Sequence, residues 1–93
     1  MLAIRFSRAA RKALEHLPAK HKRQVADRIT SLRDDPLPHD SAQIKGKSHE
    51  YRRVDIGEYR VIYRVEGEEL LIAAAGCRND DAIYKEFERS RKR

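Results

Sequence analysis

Tyr59-Arg60-Val61-Ile62-Tyr63-Arg64-Val65 is the stretch that decides the fold. Tyr59, Val61, Tyr63 and Val65 share one face, and Arg60, Ile62 and Arg64 share the other. Such a period of two, carried by aromatic and β-branched side chains, is the pattern of a strand that lays one face on a core. Gly57-Glu58, just before it, makes a two-residue turn, so the run from Glu50 to Ile56 returns beside it as the other arm of a hairpin. After the polar turn Glu66-Gly67-Glu68-Glu69, the sequence from Leu70 to Cys77 is almost continuously apolar, as befits a central strand covered on both sides. The small residues Ala73, Ala74, Ala75 and Gly76 leave room for a helix to lie close against it.

Upstream, Leu2, Ile4 and Phe6 alternate with Ala3 and Arg5 as a short strand. Ser7 is a good N-cap. Ala10, Ala13, Leu14 and Leu17 recur at helical spacing, so residues 8–17 read as an amphipathic helix. Pro18 stops it or opens the next, whose inner face is marked by Val25, Ile29 and Leu32 between Ala19 and Arg33. Lys20, His21, Lys22, Arg23 and Arg28 decorate its other faces, and Asp34-Asp35-Pro36 with Pro38 ends it. At the far end, Asp80 or Asp81 caps a last helix in which Ile83 and Phe87 form an i, i+4 pair. The basic tail, residues 89–93, is expected to fray. The expected fold is therefore α+β: a small single domain over residues 1–93 in the order β-α-α-β-β-β-α. A helical hairpin packs on a mostly antiparallel twisted sheet, and a C-terminal helix closes the chain.

Composition bounds the function. The chain has 93 residues, 39% of them charged, and a mean hydropathy of −0.84, which suits one modest core under a heavily solvated surface. Its net charge of +6 and isoelectric point near 9.8 point to a polyanion, an acidic protein, or both as partners. Cys77 is the one cysteine, so no internal disulfide forms, in keeping with a reducing cytoplasm. The opening residues, Met1 to Phe6, do not read as a signal peptide. No run approaches the roughly 18 apolar residues of a membrane span, so a cytoplasmic protein without a membrane partner is expected. His16, His21, His39 and His49 lack ligand spacing, and Cys77 has no partner cysteine. No metal site, cofactor, phosphate loop or nucleophile elbow is expected.

What remains is a set of arginines on strands. Arg52 lies on one strand, Arg60 on the next and Arg78 at the end of a third, so side-by-side pairing can bring them to one sheet face or rim. Clustered guanidinium groups repel unless an anion answers them, and phosphate does so through paired hydrogen bonds. Arg64 lies further along the Arg60 face, while Arg53 is read as pointing the other way. The plainer alternative is that these arginines pair with Glu50, Asp55, Glu58 or the Glu66–Glu69 turn and solvate an open sheet face.

The order of several short motifs resembles the RelE/ParE toxin superfamily of type II toxin–antitoxin systems, over about Ile4 to Tyr84. They are Leu14-Glu15-His16-Leu17-Pro18, Asp35-Pro36, Ile44-Lys45-Gly46, Tyr51-Arg52, Gly57-Glu58-Tyr59-Arg60-Val61-Ile62-Tyr63, and Gly76-Cys77-Arg78 with Tyr84. The resemblance implies a cognate antitoxin held in a tight complex. In its RelE-like branch it implies an mRNA interferase, an endoribonuclease that cuts mRNA in the ribosomal A site by metal-independent attack of a 2′-hydroxyl on the adjacent phosphate. Residue by residue, it assigns catalytic roles to Arg52, Arg60, Arg78 and Tyr84. Arg60 and Arg78 hold the phosphate, Arg52 orients the RNA or assists proton transfer indirectly, and Tyr84 stacks on a base or moves a proton. Lys45, Lys47, Arg53 and Arg64 are the side chains expected along the RNA backbone. The second of two alternating lysines of RelE falls here on Val54, and the His or Lys that often precedes the last arginine is Cys77, so the general base is left open. Two alternatives stand beside this reading: a ParE-like toxin that poisons DNA gyrase without cutting RNA, and a non-catalytic domain that binds nucleic acid or antitoxin.

Overall fold

A computed structural model describes residues 1–44, 51–79, 83–85 and 87. Seven elements follow in the order β1 (Ala3–Phe6), α1 (Arg8–Glu15), α2 (Ala19–Leu32), β2 (Ala42–Gln43), β3 (Arg52–Ile56), β4 (Tyr59–Glu66) and β5 (Glu69–Cys77). Beyond them Ile83, Tyr84, Lys85 and Phe87 are helical. The strands form one mixed sheet in the order β1-β5-β4-β3-β2. β1 runs parallel to β5, and the other pairs are antiparallel. The α+β architecture expected from the sequence is thus present, with a two-residue edge strand, β2, that no sequence pattern announces.

Local chemistry explains the elements. Ser7 is extended, and its Oγ accepts from the Ala10 N–H at 3.0 Å, capping α1. The same hydroxyl donates to Ala73 O at 2.7 Å, and Ser7 N–H donates to Ile72 O at 2.9 Å. One serine therefore starts the helix and ties it to β5. Gly57 and Gly67 take φ of 58° and 62° at the first turn position of the β3–β4 and β4–β5 hairpins. A side chain is strained there, and a positive φ at this position turns the chain with the twist of the strands.

The core lies on both sides of the sheet. On one side Ala10, Val25, Ile29 and Leu32 from the helices meet Val54, Val61, Tyr63, Leu70 and Ile72, with Leu14, Leu17 and Tyr59 packed at the margin. On the other, Ile62, Ala73 and Ala74 meet Ile83 and Phe87 from the C-terminal helical segment. β4 alternates as its sequence demands, and Val61, Ile62 and Tyr63 are all fully buried because both faces are covered. β5 carries one extra residue: Ile62 faces Ala74 but Tyr63 faces Ile72, leaving Ala73 as a bulge. Gly76 answers the expectation of close approach, since a Cβ there would meet the Ile83 side chain at 3.4 Å. The expected helix cap at Asp80 or Asp81 and the basic tail lie outside the described residues.

Candidate functional site

The β3–β4 hairpin sets the geometry. Its two-residue turn makes Ile56–Tyr59 the closing pair, so Asp55 faces Arg60 and Arg53 faces Ile62. Arg60 and Ile62 lie on the face covered by the C-terminal helical segment, and strand alternation puts Arg53 and Asp55 there too. Arg52 faces Tyr63 instead and belongs to the face of α1 and α2. The sequence reading had these two arginines reversed. Arg53 joins the Arg60 face, while Arg52 donates from Nε and Nη2 to Ser41 Oγ at 3.1 and 2.9 Å, bracing the segment that leads into β2.

Arg60 is the centre of the cluster. Its Nε and Nη2 donate to Asp55 Oδ1 and Oδ2 at 2.7 and 3.2 Å, and its Nη1 donates to the Tyr84 hydroxyl oxygen. Arg78 enters from the end of β5, its backbone N–H held by Glu58 O at 2.9 Å and its Nη1 at 3.8 Å from Asp55 Oδ2. Hydrogen bonding from Arg60 pulls the Asp55 carboxyl below the usual carboxylate range against the opposing effect of burial, with the charges of Arg60, Arg53 and Arg78 adding to it. In turn the bond to Asp55 raises the Arg60 guanidinium. Arg60, Arg78 and Tyr84 are thus brought together, with Arg53 nearby. Tyr84 is half-buried: its ring leans on the Ile62, Ile83 and Phe87 cluster, and its hydroxyl reaches Arg60.

The remaining predicted residues divide. Arg64 shares the Arg60 face further along β4, where it pairs with Glu66 at 3.1 Å and lies over the Tyr51 ring. Lys45 and Lys47 lie outside the described residues. The plainer alternative, pairing with acidic neighbours, is also realised in part, through Asp55 for Arg60 and Arg78 and Glu66 for Arg64. Sequence reasoning treated Asp55 only as a solvating counter-charge and missed its place at the centre. The signal was there, because a two-residue turn at Gly57-Glu58 puts residue 55 opposite residue 60. Among the described residues no three His, Cys, Asp or Glu side chains come together as metal ligands, and none of the described helices is long and apolar enough to cross a membrane.

A five-stranded mixed sheet with a helical pair on one face and an arginine–tyrosine cluster on the other defines a small α+β fold with a basic site, and the comparisons give its family. The model of the family described as ParE toxin of type II toxin–antitoxin system, parDE, matches residues 4–82. The chain belongs to that family, within the RelE/ParE superfamily, and is a toxin of the type II toxin–antitoxin class. No curated protein matches the sequence. Among solved structures, the chain superposes on a doubly substituted E. coli RelE toxin in the free state with a TM-score of 0.79 over 96% of each chain, at 15% identity. It superposes on the archaeal RelE–RelB complex from Pyrococcus horikoshii with a TM-score of 0.71 at 26% identity, over 83% of this chain and 94% of that one. A RelB–RelE antitoxin–toxin complex from Methanococcus jannaschii gives 0.67 at 25% identity, over 91% and 96%.

Proposed function

We propose that this toxin is an endoribonuclease that cuts mRNA, in the ribosomal A site, and so stops translation. The observation that carries the proposal is one carboxylate shared among arginines. Asp55 lies 2.7 Å from Arg60 and 3.8 Å from Arg78, so two guanidinium groups already converge on one anionic group, and paired hydrogen bonds from guanidinium suit phosphate. In the proposed reaction a 2′-hydroxyl oxygen attacks the adjacent phosphorus and the P–O5′ bond breaks. The attacking hydroxyl loses its proton to solvent, the departing oxygen gains one, and a 2′,3′-cyclic phosphate and a 5′-hydroxyl remain. Arg60, Arg78 and Arg53 offset the charge that builds on the phosphate, the contribution usually largest in such steps. The Tyr84 hydroxyl accepts from Arg60 and keeps its own proton to donate toward the departing oxygen. Neither arginine nor tyrosine is a good base near neutrality, and Asp55, held low by Arg60, suits anchoring better than proton abstraction.

A cognate antitoxin, mRNA and the ribosome are the proposed partners, and the cytoplasm the proposed location. Antitoxin binding is supported by the RelB complexes among the structural neighbours. The family's description as a ParE toxin keeps the second reading in play, the ParE-like toxin of DNA gyrase that the sequence resemblance left open. A cell-free translation extract separates the two. Cuts within codons of ribosome-bound mRNA, lost in Arg60→Ala and Arg78→Ala that still melt like the parent, support the nuclease. Intact mRNA with gyrase-dependent DNA breaks sinks it in favour of the second reading. Tyr84→Phe then separates a stacking ring, which keeps cutting near normal, from a proton donor, which loses most of it.

A further inference from the structure

Arg60 is the most constrained guanidinium in the cluster, and Asp55 constrains it. Of the five N–H donors of an arginine, two of those on Arg60 go to the Asp55 carboxylate and one goes to the Tyr84 hydroxyl. The two left over sit on the terminal nitrogens. With the Nε edge clamped to Asp55, the far end of the fork faces Tyr84, and its direction is set before any ligand arrives. The clamp is built into the hairpin: Asp55 and Arg60 are direct cross-strand partners one step in from the turn, a spacing at which paired side chains touch. The pair is also sheltered, with side-chain exposures of 15% for Arg60 and 32% for Asp55, against 46% for Arg78. An unclamped arginine would lose rotamer freedom on being fixed by a ligand, and here folding has already imposed that order.

We propose that Asp55 is a positioning residue, which holds Arg60 edge-on so that the guanidinium orients the Tyr84 hydroxyl toward the phosphate bound by the arginines. The inference rests on the nuclease reading, and charge makes it separable from a merely structural role. Asp55 stands among Arg53, Arg60 and Arg78, so neutralising it raises the local positive charge by one. Binding of a phosphate chain then holds or tightens while turnover falls. Loss of a structural prop would weaken both together.

The test measures single-turnover cleavage of ribosome-bound mRNA by the parent, Asp55→Asn, Tyr84→Phe and the double variant, beside affinity for the same message carrying a 2′-deoxy nucleotide at the cut. The Arg60 Nε–H of the isolated toxin is followed by nitrogen-15 NMR. Asp55→Asn is expected to slow cleavage on the order of 10²-fold, the scale of a misplaced reacting group, with affinity unchanged or tighter. In the Tyr84→Phe background most of that loss should vanish, because groups acting through one another are not additive. The Arg60 Nε–H should exchange slowly in the parent and rapidly in Asp55→Asn. Parent-like cleavage by Asp55→Asn, a parallel fall in affinity, or full additivity with Tyr84→Phe overturns the proposal. Should Asp55→Asn fail to fold, Asp55→Glu keeps the charge on a longer arm: slowed cleavage with intact affinity supports positioning, and a parent rate overturns it. Absence of cutting by the parent sinks the nuclease reading alone. The Nε–H protection then decides the positioning, which unchanged exchange in Asp55→Asn overturns.

Discussion

Arg78 and Arg52 show how little a residue's type says about its work until its neighbours are known. Arg78 is held by its backbone N–H on Glu58 O and by a long 3.8 Å ion pair to Asp55, and its side chain is nearly half exposed, so most of its fork is open to a ligand. Arg78→Lys keeps the charge but loses the paired hydrogen bonds and is expected to cut ribosome-bound mRNA on the order of 10²-fold more slowly. Arg52 is spent on Ser41. Arg52→Ala should lose about 1 kcal/mol of stability, read as a lower melting temperature, while cleavage stays within a few-fold of the parent; a hundredfold loss of cleavage would return Arg52 to the site. Asp55 makes stability depend on pH. Its folded pKa lies below the unfolded one, so its contribution is complete above the ordinary carboxylate value of about 3.9 and is lost as pH falls through the lower folded value. For a partly exposed pair that contribution is about 1 kcal/mol, or about 4–8 °C in melting temperature for a domain of this size. Melts of the parent and Asp55→Asn should differ by that much at neutral pH and converge below about pH 4.

At the scale of elements, the junction between β1 and α1 concentrates the most consequence in one side chain. Ser7→Ala removes the N-cap of α1 and the bond to Ala73 O at the β5 bulge together, and is expected to cost about 1–2 kcal/mol, measured by urea unfolding with an unchanged slope. The cap, the helices and three of the strands were legible because each rests on a local rule: a serine before a helical stripe, a period of two, a glycine in a tight turn. β5 was legible as central because only a doubly covered strand is apolar throughout. Two things resisted. β2 is two residues long, too short for any period, and exists through its pairing with Arg52 and Arg53. The parity of Arg52 was misread although the turn determined it: counting back from Gly57-Glu58 puts Asp55 opposite Arg60 and sends Arg52 to the opposite face. A row of arginines on neighbouring strands suggested convergence, but register decides which of them meet.

For the whole molecule the question is how much of the positive charge works at the site. The net charge of +6 is unevenly placed, since Arg8, Arg11 and Lys12 on α1 and Lys20, Lys22 and Arg23 on α2 add to the arginines of the sheet. Salt dependence can apportion it. Each phosphate neutralised on single-stranded RNA contributes a slope of about −0.7 on a log–log plot of affinity against salt. In the cluster, Arg53, Arg60 and Arg78 are offset by Asp55, leaving about two net charges and a slope near −1.4 if nothing else engages RNA. The expected outcome for ribosome-free mRNA is steeper than about −2, with Arg78→Ala lowering it by about 0.7 and Asp55→Asn raising it by a similar amount. These opposite shifts follow only if both residues lie where the RNA backbone is held. A slope near −1.4 that moves with Arg78 would confine binding to the cluster, and a slope indifferent to both substitutions would mean that RNA is held elsewhere.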